Sequence, residues 1–114
     1  MEKNVEMSIL LEIYGKLLTE KQYELLNDYY NNDLSLSEIA ENNNITRQAV
    51  LDVIKKGECK LFELEEKLLI MEKMLKQEKV LQIVFSELEK LQDVTSDKKA
   101  ERIINHVKKE LSQI

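Results

Sequence analysis

Leu34-Ser35-Leu36-Ser37-Glu38-Ile39-Ala40-Glu41-Asn42-Asn43-Asn44-Ile45-Thr46-Arg47-Gln48-Ala49-Val50-Leu51-Asp52-Val53-Ile54-Lys55-Lys56 decides the fold. Ser35 and Glu38 stand three apart, the spacing at which a serine hydroxyl and a glutamate side chain cap one helix start reciprocally. Leu36, Ile39 and Ala40 then face inward on a short helix. Asn43 or Asn44 can adopt the left-handed conformation and reverse the chain without glycine. Ile45 plugs the turn and Thr46 caps a second helix, with Ala49, Val50, Val53 and Ile54 on its inner side. A small residue where two helices cross (Ala40), an apolar plug (Ile45), a cap (Thr46) and an apolar lock (Val50) together spell a helix-turn-helix over about Leu34–Leu61.

Upstream, Leu10, Ile13, Tyr14, Leu17 and Leu18 recur at helical spacing and mark the buried face of a helix from about Val5 to Leu18. Thr19 and Gln22 form a second capping box, which starts a helix carrying Leu25, Leu26, Tyr29 and Tyr30 and ending at the polar turn Asn31–Asp33. Downstream, Gly57 weakens the second helix of the motif without ending it. Leu61, Leu64, Leu68, Met71 and Leu75 continue at 3-4-3-4 spacing, the seam of a coiled coil. An offset seam, Leu81, Val84, Leu88 and Leu91, follows, so a bend is expected near Lys76–Lys79. After a turn at Asp93–Asp97, Thr95 or Ser96 caps a last helix striped by Ala100, Ile103, Ile104, Val107, Leu111 and Ile114. The expected architecture is all-α. A helix-turn-helix domain occupies residues 1–61, and a C-terminal helical extension occupies 62–114 within the same compact unit.

The bulk composition agrees. The 114 residues contain no proline and two glycines, the residues that break helices. No run approaches the roughly 20 apolar residues of a membrane span. The N-terminus does not resemble a signal peptide, and a single cysteine, Cys59, excludes an intrachain disulfide. These features place the chain in the cytoplasm. Cys59 reads as a buried or half-buried small apolar residue. Met71 and Met74 read as core, and Tyr29 and Tyr30 as core and rim aromatics rather than a base-stacking platform. His106, with no carboxylate and nucleophile at suitable spacing, reads as a packing or surface residue. No phosphate loop, metal cluster or nucleophile elbow occurs, so neither an enzyme nor a cofactor or small-molecule substrate is expected.

The net charge of −5 argues against a chain whose whole surface grips nucleic acid. The second helix of the motif nevertheless carries candidate contacts: Arg47 and Gln48 at its start, where such helices enter the major groove, then Lys55, Lys56 and Lys60. Leu51 and Asp52 intervene, and the aspartate repels phosphate. Between Thr19 and Thr46, Glu20, Glu24, Asp28, Asp33, Glu38 and Glu41 face only Lys21, so the supporting helices oppose a duplex. Five basic residues of the last helix, Lys98, Lys99, Arg102, Lys108 and Lys109, read as a solvated face.

Leu18-Thr19-Glu20-Lys21-Gln22, Tyr29-Tyr30, Leu36-Ser37-Glu38-Ile39-Ala40 and Thr46-Arg47-Gln48-Ala49-Val50 resemble the C-terminal helix-turn-helix domain of bacterial sigma factors over roughly Leu17–Leu61. Two departures stand out: Asn43-Asn44 replaces a Leu-Gly turn, and Leu51 and Asp52 stand where polar or basic base-reading residues are usual. With the helix Ile9–Leu18, the Asp28-Tyr29-Tyr30 run, Asp52, Ile54-Lys55 and the helical tail, the whole chain is more similar still to the YlxM family. That resemblance implies an accessory or regulatory role in the signal recognition particle pathway, with the particle's GTPase and its small RNA as partners. It also implies dimeric assembly through the tail. The seams exceed what one slender chain can cover, so a homodimer is expected, with Leu64, Leu68, Met71, Leu75, Leu81, Val84 and Leu88 at its interface. Two functions therefore stand side by side: a signal recognition particle regulator, and a dimeric DNA-binding transcription regulator with weak DNA affinity. The motif could also serve only as a docking face for another protein.

Overall fold

The computed structural model describes residues Met1–Ile114 as six α-helices and no strand. They are α1 (Lys3–Tyr14), α2 (Glu20–Tyr30), α3 (Leu36–Asn43), α4 (Arg47–Leu68), α5 (Ile70–Val94) and α6 (Lys98–Leu111). The chain divides into two compact units, Met1–Met71 and Glu72–Ile114.

The first unit packs α1, α2 and α3 on α4. Met7, Leu10, Leu11 and Tyr14 of α1 meet Leu25, Leu26 and Tyr30 of α2, Ile39 and Ala40 of α3, and Val50, Ile54 and Leu61 of α4. Both expected capping boxes form: Thr19 with Gln22 starts α2, and Ser35 with Glu38 starts α3. Asn44 takes the left-handed conformation with φ 54°. Its N–H donates to Glu41 O and that of Ile45 to Ala40 O, the paired bonds of a Schellman turn. The Asn43 side chain adds a bond to the Ile39 carbonyl at 2.8 Å. Ile45 packs against the core, and Thr46 Oγ1 accepts from Ala49 N at 3.0 Å to open α4. The helix-turn-helix is thus closed by Ala40, Ile45, Thr46 and Val50.

Four local expectations are corrected. The first helix stops at Tyr14, and Gly15–Leu17 forms a 3-10 turn. A Cβ on Gly15 would lie 2.7 Å from the Tyr23 ring, so glycine lets that ring lie against the backbone. The tighter turn swings Leu17 into solvent, while Leu18 stays in the core. The bend expected near Lys76–Lys79 is absent. The break falls instead at Leu69, left-handed with φ 54°, and α5 runs unbroken through Lys76–Lys79. Tertiary bonds from Tyr14 and Glu65 to the first amides of α5 set that position (Ile70 N to Tyr14 Oη 3.3 Å, Met71 N to Glu65 Oε1 2.9 Å). Finally, Asp97 rather than Thr95 or Ser96 caps α6, because the Thr95 hydroxyl is taken by the Asp97 amide.

In the second unit, Gln92 ties α5 to α6, donating to Asn105 Oδ1 at 3.0 Å and accepting from Lys108 Nζ at 2.8 Å. Ile104 is its one buried side chain. Of the stripe expected to be apolar and inward on α6, Ile103, Val107 and Ile114 are exposed.

Candidate interaction surface on the helix-turn-helix unit

α4 turns one side to the core, because Val50, Ile54, Gly57 and Leu61 recur at spacings of three and four. The remaining side carries every candidate contact on this helix. Arg47, Gln48, Lys55, Lys56 and Lys60 are all exposed, and none of the five takes part in the chain's ion pairs, which are Lys3–Glu58, Lys76–Glu72 and Lys90–Glu87.

These five side chains do not form one cluster. Lys55, Lys56 and Lys60 line a shallow groove of about 490 Å³ together with Leu17, Thr19, Gln22, Cys59 and Glu63. The groove lies between the capped start of α2 and the middle of α4. Arg47 and Gln48 sit at the start of α4, about 13 Å along the axis from Lys56 at 1.5 Å rise per residue. Gln48 is also engaged within the helix: its Nε2 donates to Asp52 Oδ1 at 3.0 Å. An amide whose N–H is already held by a carboxylate has lost part of the paired donor and acceptor it would offer adenine.

Helical spacing does not reveal Leu17, Thr19, Gln22 and Glu63 as part of a surface. Leu17 falls on the apolar stripe of the first helix by spacing, and its exposure follows from the 3-10 turn, whose only sequence signal is Gly15. Cys59 is exposed on the groove, which corrects the expectation of burial. It follows the core residue Gly57 by two positions, and so points off the buried side of α4. Met74 is exposed as well, while Met71 packs partly against the first unit's core.

Two buried tyrosines carry the polar bonds between α1, α2 and α4. The Tyr14 hydroxyl donates to Glu65 Oε1 at 2.7 Å. The Tyr30 hydroxyl donates to Glu58 Oε1, and Glu58 also pairs with Lys3 at 3.4 Å. Burial, then the neighbouring carboxylate, pushes both phenols above the usual tyrosine range. Tyr29 meets the Tyr30 ring edge-on at 5.0 Å. These are packing roles, and no set of three His, Cys, Asp or Glu side chains converges on a position that could hold a metal ion. No helix is long and apolar enough to cross a membrane.

The residues expected at a dimer seam divide between the units. Leu64 and Met71 pack against the first unit's own core, and Leu68 is exposed. Leu75, Leu81, Val84 and Leu88 are half-buried on α5.

The comparisons with known proteins bear on the whole chain. A relative from Clostridium acetobutylicum is 40% identical over 112 residues, covering 98% of this chain and 97% of the relative. One from Clostridium perfringens is 41% identical over 111 residues, covering 92% and 99%. One from Acetivibrio thermocellus is 38% identical over 114 residues, covering 100% and 97%. All three are UPF0122 proteins. The family model matches residues 1–107, and with these relatives it shows that the chain belongs to the UPF0122 family, the YlxM / p13-like helix-turn-helix proteins.

Proposed function

We propose that this chain is a non-enzymatic, cytoplasmic regulator of the signal recognition particle pathway, which binds the particle's GTPase, and secondarily its RNA, through the helix-turn-helix unit. The resemblance to the YlxM family is what names the pathway. The observation that favours a protein contact over duplex reading is the groove. Three unpaired lysines there border the exposed Leu17 side chain, and Glu63 closes one side. An apolar anchor bordered by charged side chains suits a protein surface. A phosphate backbone would meet the acidic α2 and α3 beside it.

The test is binding side by side to the GTPase, its RNA and random duplex DNA at physiological salt. Retention on the GTPase, weakened about tenfold or more by Lys56→Glu with Lys60→Glu, is the expected result. Specific retention of duplex alone would overturn it.

One observation favours the second reading, a dimeric DNA-binding transcription regulator: Arg47 and Lys55 stand exposed and unpaired on one side of α4. A specific gel shift abolished by Arg47→Ala with Lys55→Ala would establish it.

The chain acts as a homodimer through its tail. In the second unit Val80 is 58%, Ile83 63% and Ile103 59% exposed, apolar surface that a second copy would cover. Sedimentation equilibrium at micromolar concentration is expected to show a dimer, and Val84→Glu with Leu88→Glu a monomer.

A further inference from the structure

Three residues other than glycine have positive φ: Asp33, Asn44 and Leu69. Aspartate and asparagine visit that region readily, whereas it costs leucine a factor of roughly 5–30 in population. Nothing local asks for a break at Leu69. Glu65-Glu66-Lys67-Leu68-Leu69-Ile70-Met71-Glu72-Lys73 contains no glycine, proline or asparagine. The 3-4-3-4 spacing of Leu61, Leu64, Leu68, Met71 and Leu75 runs straight across it.

The break is held from outside. The Tyr14 hydroxyl, 1% exposed as a residue, donates to Glu65 Oε1 at 2.7 Å and accepts from Ile70 N at 3.3 Å. The same carboxylate oxygen accepts from Met71 N at 2.9 Å. Those two amides open α5 and have no partner of their own once the helix is interrupted. In an uninterrupted helix they would donate to the Glu66 and Lys67 carbonyls and need neither Tyr14 nor Glu65.

We infer that residues 65–73 form a two-state joint. In the closed state Leu69 is left-handed and Tyr14 with Glu65 caps α5. In the open state Glu65–Lys73 run as one continuous helix. Intrinsic helix propensity and the unbroken apolar spacing favour the open state, and the Tyr14–Glu65 pair favours the closed one. The consequence for assembly rests on the homodimer reading above. Met71 is occupied by the first unit's core in the closed state, so a continuous seam from Leu68 through Met71 to Leu88 is offered to a second copy only when the joint opens.

Backbone chemical shifts of residue 69 in the full-length labelled protein test the joint directly. The expected wild type is mainly closed, with exchange broadening at Leu68–Glu72. Leu69→Gly removes the left-handed penalty and disfavours the continuous helix, raising the closed-to-open ratio at least about fivefold and abolishing the broadening. Tyr14→Phe deletes both hydroxyl bonds and moves residue 69 toward right-handed helical shifts while the Val50 and Ile54 resonances stay folded. If Tyr14→Phe unfolds the first unit, Glu65→Ala is read in its place. A folded variant of either kind with residue 69 still fully left-handed overturns the joint. Sedimentation of the same variants separates the second claim. Association strengthened by Tyr14→Phe and weakened by Leu69→Gly supports the link to pairing. Equal association with a responsive joint overturns that link alone.

Discussion

Gly57 stands where α4 passes α2, and a Cβ built there would lie 2.5 Å from Leu26 Cδ1 and 3.6 Å from Gln22 Cβ. Alanine would gain about 1 kcal/mol in helix propensity. Leu26 is fully buried and has nowhere to retreat, and overpacking of this kind costs typically 1–3 kcal/mol. Gly57→Ala is therefore expected to lower the stability of the first unit by about 1 kcal/mol, read as a lower urea midpoint. Tyr30 has the opposite character, a polar group kept in place by its own protonation. Its phenol is raised above the ordinary 10.0 by burial and by Glu58, so the folded state keeps a proton that the unfolded chain releases. The stabilisation is fully present below about pH 10 and is lost as pH rises beyond it. Urea midpoints are expected to be level to about pH 9 and then fall, with a shallower fall in Tyr30→Phe.

At the scale of elements, the turn between α3 and α4 is fixed by short-range bonds whose partners lie within six residues of one another. Thr46→Ala removes the acceptor for Ala49 N and is expected to cost about 1 kcal/mol by chemical denaturation. Asn44→Gly keeps the left-handed cap and should leave stability within about 0.5 kcal/mol, whereas Asn44→Ala should cost about 1 kcal/mol. The two capping boxes and this turn were legible in the sequence because each depends on residue types at fixed short offsets. The 3-10 turn after Tyr14 and the break at Leu69 were not. They answer to Tyr23 and to Tyr14 with Glu65, partners that helical spacing does not reveal. The candidate surface divides in the same way: the lysines of α4 could be placed on one side from their spacing, but their meeting with Leu17 could not.

Over the whole molecule, the two units differ in how much they bury. The first closes over a core drawn from α1, α2, α3 and α4, and the second buries only Ile104. Amides of α6 are accordingly expected to exchange with solvent roughly 100-fold or more faster than those of the core-facing turns of α4. If two copies pair through the tail, that protection will rise with protein concentration, while protection in α4 will not.

The sequence by itself determined where α2, α3 and α4 start, their caps and the helix-turn-helix. Those depend on hydrophobic period, capping chemistry and the left-handed tolerance of asparagine, all written within a few residues of chain. Only the tertiary structure decided where α4 ends, that Leu17 and Cys59 face outward, and that the three lysines share a groove to which Arg47 and Gln48 do not belong. The end of α4 and the exposure of Leu17 follow from contacts that helical spacing does not reveal, the Tyr14 hydroxyl with the half-buried Glu65 carboxylate and the Tyr23 ring against Gly15, which outweigh local preference.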